Sequence, residues 1–167
     1  MIIDLGSLEG SLQFDFSVTA DELDLGTDDF RLLSNASAIG EVTKHIAQTD
    51  VAGNITADAE FDCTRCLTPV KQDFKVAFDV SYIPEIPKAA TVELEAGDLD
   101  MDVLVDESLD LKEVVREQIL LNLPEQVFCT EDCKGLCQKC GANRNLINCS
   151  CEEKEIDPRW SALKNLK

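Results

Sequence analysis

Residues 55–82, ITADAEFDCTRCLTPVKQDFKVAFDVSY, decide the fold. Ile55, Ala57, Ala59 and Phe61 alternate with polar residues, and after a break at two cysteines Val70, Phe74, Val76, Phe78, Val80 and Tyr82 keep the same two-residue period. Successive side chains of a strand point to opposite faces, so each run reads as a half-buried strand and the two together as a β-hairpin. Extending the first alternation places Cys63 on the face of Phe61, and extending the second backwards places Cys66 with Val70. Both thiols are therefore expected on the core side at the hairpin tip.

Upstream, Leu12, Phe14, Phe16 and Val18 alternate with Gln13, Asp15, Ser17 and Thr19, which predicts a first strand. Residues 21–37 are acidic and turn-rich, and the weakly patterned stretch 38–47 reads as a further strand. That stretch contains the lone histidine, His45, expected to be a surface or strand residue rather than a ligand or a base. Downstream, residues 85–110 set nine acidic side chains against one lysine, with Pro84, Pro87 and Gly97 interrupting any pattern. An acidic loop with a short strand at 101–105 is expected, able to dock a basic protein.

A helix then opens at Asp110 with Glu113 three residues on, carries Leu111, Val114, Val115, Ile119 and Leu123 at helical spacing, and stops at Pro124. Asp157 and Pro158 have the form of a cap and first residue for a last short helix through Trp160, Leu163 and Leu166. The expected class is α+β: an antiparallel β-sheet with a covering helix and a cysteine-rich zinc-knuckle tail. The expected division is an acidic β-rich domain with one main helix at residues 1–128 and a cysteine-rich zinc-binding tail, ending in the short helix, at 129–167. With 167 residues, 44% apolar but only 5% aromatic, the core should be single and mostly aliphatic, and Trp160 and Tyr82 should be packing residues.

The eight cysteines come in four close pairs: Cys63 and Cys66, Cys129 and Cys133, Cys137 and Cys140, Cys149 and Cys151. Thiolates two or three residues apart can turn onto one ion, whereas disulfides usually join distant segments, so the spacing favours zinc. Disulfides would leave on the order of a hundred connectivities, and a Cys149 to Cys151 bridge would be badly strained. Residues 1–10 contain no Lys or Arg and no long apolar run, so no secretory signal is expected. No stretch approaches the roughly 20 apolar residues that cross a bilayer, and the expected location is a reducing cytoplasm where thiols stay free for metal.

Cys137-Gln-Lys-Cys140-Gly141 is a zinc-knuckle sequence whose glycine tolerates a positive φ just after the second ligand. Cys149 and Cys151 follow closely enough to complete one site with Cys137 and Cys140. Cys129 and Cys133 then find their economical partners in Cys63 and Cys66, although the hairpin pair joining the knuckle instead is also compatible with the spacing. A closed four-cysteine site has no open coordination position, so it holds structure rather than activating water. The spacing Cys133-x-x-x-Cys137-x-x-Cys140 also matches the four-iron cluster motif of radical enzymes, but the 27 residues after Cys140 are too few for their barrel. With one histidine, no nucleophile elbow and no phosphate loop, the chain is not expected to be an enzyme. A redox-responsive zinc-thiolate chaperone is the alternative class, since paired thiolates that release zinc on oxidation can expose apolar surface.

The net charge of −18 repels phosphate backbones and favours basic partners. It is unevenly spread: residues 1–128 hold 8 basic and 27 acidic side chains, and residues 129–167 hold 7 and 6. Two four-thiolate zinc sites would take the total to −22, with Lys134, Lys139 and Arg144 offsetting the local negative charge.

Cys63-Thr64-Arg65-Cys66-Leu67, Cys133-Lys-Gly135-Leu136-Cys137-x-x-Cys140-Gly141 with Asn145 following, Cys149-x-Cys151, and Asp157-Pro158-Arg159-x-x-x-Leu163 together resemble the bacterial YceD family, named for accumulation of large-subunit ribosomal RNA. The resemblance covers the hairpin, the helix and the tail. Arg144 stands where that pattern has an apolar residue. The resemblance implies a non-enzymatic factor that supports large-subunit ribosomal RNA accumulation during subunit assembly. With the charge distribution, it leads to the expectation that the acidic body engages a basic ribosomal protein or assembly factor. Contact with ribosomal RNA would then be indirect or through the near-neutral tail, and no membrane partner is expected.

Overall fold

A computed structural model describes residues 1–26, 29–83, 101–104, 107–151 and 159. In chain order the elements are β1 (Ile2–Asp4), β2 (Ser11–Val18), α1 (Ala20–Leu23), β3 (Phe30–Leu32), β4 (Ala36–Lys44), β5 (Thr49–Asp62), β6 (Pro69–Ile83), β7 (Met101–Val103), β8 (Ser108–Asp110) and α2 (Leu111–Leu121). The alternating stretch forms the central hairpin, β5 against β6, in unbroken antiparallel register from Thr49 opposite Tyr82 to Asp62 opposite Pro69. The main sheet has the order β2-β4-β5-β6-β7, with β3 beside the far end of β5, and β1 pairs with β8 in a second, two-stranded sheet.

Val51, Ile55, Ala59 and Phe61 of β5 and Phe74, Val76, Phe78 and Tyr82 of β6 point into the core, as the two-residue period requires. Tyr82 is thus a packing residue. Phe30, Phe61 and Phe74 form a tilted aromatic cluster with centroids 4.9, 5.6 and 6.2 Å apart, one pleat along the strand from Cys63. On β2, Phe14 and Val18 are buried but Leu12 is 39% exposed, because the strand is the sheet's outermost member and its first residues overhang the core.

Several elements differ from the sequence expectation. The sheet is mixed rather than wholly antiparallel: β7 runs parallel to β6, with Ser81 opposite Met101. Parallel neighbours need a crossover of about a dozen residues or more, which the length of 84–100 provides. Val105, residues 85–100 and the helix expected from Asp157 through Trp160, Leu163 and Leu166 lie outside the described residues, apart from Arg159. Strand β4 ends at Lys44, so His45 sits in the connection to β5, where its N–H donates to the Gln48 carbonyl at 2.8 Å. Helix α1 runs from Ala20 into the stretch expected as turn, and its N-cap Thr19, expected in the first strand, receives the Glu22 N–H at 3.3 Å while the Glu22 carboxylate takes the Thr19 N–H at 3.1 Å, a reciprocal capping box.

Helix α2 is capped by the Asp110 carboxylate, which accepts from the Lys112 N–H at 3.0 Å. Glu113 pairs with Arg116 at 3.1 Å instead of reaching back to the cap. Leu111, Val114, Val115 and Ile119 form the buried stripe, packed against β6, β1 and α1, and the helix ends at Leu121 with Asn122 as its C-cap, so Leu123, expected within it, lies beyond its end before Pro124. None of the described helices is long and apolar enough to cross a membrane.

Candidate metal centres

The hairpin tip is a knuckle. Leu67 N–H donates to the Cys63 carbonyl at 2.9 Å, Cys63 N–H donates to the Thr68 carbonyl at 3.0 Å, and Leu67 adopts φ 58°. The tail repeats the same turn. Gly141 N–H donates to the Cys137 carbonyl at 2.8 Å, Cys137 N–H donates to the Ala142 carbonyl at 2.8 Å, and Gly141 adopts φ 71°. Each turn is flanked by paired residues at matching offsets, Asp62 with Pro69 and Leu136 with Asn143. Both Cys-x-x-Cys segments therefore present their thiols in the same way, although only one has the glycine that the left-handed position favours.

The eight thiols gather into two sets, Cys63, Cys66, Cys129 and Cys133, and Cys137, Cys140, Cys149 and Cys151, with all sulfurs of each set within 4.8 Å of one another. The hairpin pair thus meets the first tail pair, and the knuckle does not share it. Cys63 and Cys133 sulfurs lie 3.8 Å apart, and Cys66 and Cys129 sulfurs 3.5 Å apart. A disulfide is about 2.05 Å long, whereas the edge of a tetrahedron with metal–sulfur bonds of about 2.3 Å is about 3.8 Å. The first set therefore has the spacing of four ligands around one ion, and both sets can hold a metal.

Burial separates the two. Cys63, Cys66 and Cys133 are buried and close over Val70 and Leu136, while Cys140 and Cys151 of the second set are exposed. Among the metal-free thiols, burial raises the pKa of Cys63, but N–H groups of Arg65, Cys129 and Cys66 outweigh it and bring it down to about 6. The Thr68 hydroxyl is the main group lowering Cys66. Sharing protons with the Cys66 sulfur, together with burial, pushes Cys129 up to about 12. In the second set, N–H groups of Cys140 and Lys139 lower Cys137 to about 6, and the neighbouring Cys140 and Cys137 sulfurs raise Cys151 to about 12. Four crowded sulfurs cannot all ionise without a cation between them, which is what a divalent ion supplies.

Arg65 fastens the tail over the hairpin tip. Its Nη1 donates to the carbonyls of Cys133 at 3.1 Å and Glu131 at 3.4 Å, its guanidinium lies 4.1 Å from the Phe128 ring centroid, and its own carbonyl accepts the Leu136 N–H at 2.9 Å. Thr64 N–H and hydroxyl both donate to the Val127 carbonyl, at 2.8 and 3.1 Å. Gly135 passes so close that a Cβ there would lie 3.0 Å from the Arg65 carbonyl oxygen, and its φ is 70°. Gly135→Ala is expected to cost about 2 kcal/mol and to speed protease cleavage of the tail, because it combines left-handed strain with that contact. These contacts were not read from the sequence, although Arg65 inside the knuckle and Gly135 between two cysteines were visible signals. Lys134, Lys139 and Arg144 are exposed, with Lys134 following Cys133 of the first set and Lys139 preceding Cys140 of the second.

At the opposite end of β5, a cavity of about 370 Å³ is bordered by Lys44, His45, Thr49, Tyr82 and Glu107. Next to it a polar cluster centres on Asp50, itself outside the lining, and Asp50 accepts from Ser81 at 2.7 Å and Gln48 at 2.8 Å and lies 3.0 Å from His45 Nε2. Serine and histidine both address the carboxylate rather than each other, so the cluster does not form a nucleophile–base pair. His45 is exposed, as expected, and lies far from both cysteine sets.

The fold and its sites define a small α+β protein with two four-cysteine clusters, the first of which brings a tail against the end of a long β-hairpin. The chain belongs to the YceD family: the family model described as "Large ribosomal RNA subunit accumulation protein YceD" matches residues 51–167. Among curated proteins, an uncharacterized protein of Mycobacterium tuberculosis is 34% identical over 113 residues, 68% of this chain and 53% of that relative. The uncharacterized protein YlbN of Bacillus subtilis is 28% identical over 157 residues, 93% of this chain and 88% of the relative. A Zea mays protein named "Large ribosomal RNA subunit accumulation protein YCED homolog 1, chloroplastic" is 25% identical over 141 residues, 70% of this chain and 48% of the relative. The chain spans about half the length of the mycobacterial and maize relatives it matches. No solved structure matches it.

Proposed function

We propose that the chain is a non-enzymatic ribosome biogenesis factor that supports accumulation of large-subunit ribosomal RNA by binding a basic ribosomal protein or assembly factor. Membership of the YceD family over residues 51–167 is the observation that carries this reading. Charge supports the partner class: a chain of net −18 attracts cationic polypeptides and repels phosphate, which leaves RNA contact indirect or confined to the near-neutral residues 129–167. The two cysteine sets hold one structural zinc ion each, as ligands with no position left for water. The working location is the cytoplasm.

Depletion of the protein, with complementation by the intact chain, tests the reading. Large-subunit ribosomal RNA is expected to fall relative to small-subunit RNA and to recover on complementation, and affinity capture should retain a basic protein in a salt-sensitive way. An unchanged RNA ratio on depletion contradicts it. Exposure of Cys140 and Cys151 favours a second reading, a redox-responsive zinc-thiolate chaperone. That reading requires zinc loss and client binding after mild peroxide treatment, and the first does not.

A further inference from the structure

The two centres are joined by the loop between Cys140 and Cys149. Asn145, on that loop, donates from Nδ2 to the Cys133 sulfur of the first centre at 3.3 Å, while its Oδ1 accepts the Lys134 N–H at 2.8 Å. Asn143, also on the loop, receives the Asn145 N–H on its Oδ1 at 2.9 Å. Its Nδ2 lies 3.4 Å from Thr68 Oγ1, the hydroxyl that is itself 3.2 Å from the Cys66 sulfur. Arg144 N–H, between them, donates to the Gly135 carbonyl at 2.9 Å. The segment that closes the second centre thus supplies a hydrogen bond to one sulfur of the first and reaches a second only through the Thr68 hydroxyl.

An ion in the second centre would pin this loop at both ends, through Cys137 and Cys140 on one side and Cys149 and Cys151 on the other. Without it, holding Asn143 and Asn145 in place would cost loop-ordering entropy. Outer hydrogen bonds orient thiolates and reduce the charge each must place on the metal. Resting on the reading that both sets hold metal, we infer that Asn145 is a positioning residue of the first centre and couples the two, so that filling the exposed second centre tightens metal binding at the buried first. By linkage, filling the first tightens the second by the same factor.

Cobalt(II) titration of the full chain against a competing chelator tests this, because cobalt–thiolate charge-transfer bands report the sulfurs directly. Replacing both Cys149 and Cys151 by Ser, which removes the second centre and leaves Asn145 intact, is expected to weaken the first about tenfold or more. Asn145→Asp keeps the Lys134 acceptor and removes the donor. It should weaken the first centre by a similar factor, shift its charge-transfer band to lower energy, and add little in the background lacking the second centre. A first centre whose affinity and band stay unchanged in both variants overturns the coupling while leaving the metal reading intact. A native chain that takes up no cobalt overturns both.

Discussion

On the proposed zinc reading, Cys63→Ser is expected to release the ion of the first centre and destabilise the protein by more than about 4 kcal/mol, since a structural zinc contributes its binding free energy to folding. The effect follows from position. Cys63 is fully buried at the hairpin tip, its sulfur lies 3.8 Å from that of Cys133, and it accepts the Cys129 N–H at 3.4 Å, so one substitution disturbs hairpin and tail together. The aromatic cluster of Phe30, Phe61 and Phe74 lies beside it and would lose its cover. Cys140→Ser provides the contrast: it removes a ligand from an exposed set outside the sheet and should leave most of the unfolding transition in place. Denaturant unfolding of the zinc-loaded proteins measures the difference, and equal midpoints for the two variants contradict the assignment of the first centre as the main clamp.

Gly40→Ala is expected to cost about 3 kcal/mol, the upper end for overpacking a well-filled interior. Gly40 and Gly53 are direct partners across β4 and β5, with Phe14 opposite Gly40 and Phe78 opposite Gly53. The two rings, both buried, lean over the pair of glycines. A Cβ on Gly40 would lie 2.2 Å from the Ala52 carbonyl oxygen and 2.6 Å from the Phe14 ring, and backbone cannot yield as a flexible side chain does. The penalty should appear as a lower melting temperature with metal content unchanged, because the row lies in the strands well away from the hairpin tip. A melting temperature within about 2 °C of the native protein contradicts this packing, given how far a destabilisation of that size moves a domain of this length.

What the sequence made legible follows from how local each signal is. The period-two runs from Ile55 to Phe61 and from Phe74 to Tyr82 specify the hairpin, since their register moves every apolar side chain to one face. Cys63 and Cys66 then fall at its buried tip, and Gly141 marks the tail knuckle. Leu67, at the matching position of the first knuckle, carries no such mark because leucine does not advertise a positive φ. Three-residue strands have too few positions to establish a period, which hides β1, β3 and β8, while β7, equally short, falls within the short strand expected at 101–105. The capping box of Thr19 and Glu22 was written in the sequence but straddled two readings, Thr19 in the first strand's alternation and Glu22 in the acidic turn stretch. The direction of β7 and the reach of Arg65 and Asn145 depend on tertiary placement, which no local pattern encodes.

Native mass spectrometry of protein purified without chelator tests the central claim most directly, that two four-cysteine centres each hold an ion and that the first fixes the tail to the hairpin. The account predicts a mass carrying two zinc ions with all eight cysteines reduced, the first ion leaving only as the protein unfolds. A folded, metal-free mass, or one reduced by the hydrogens lost to four disulfides, would contradict it.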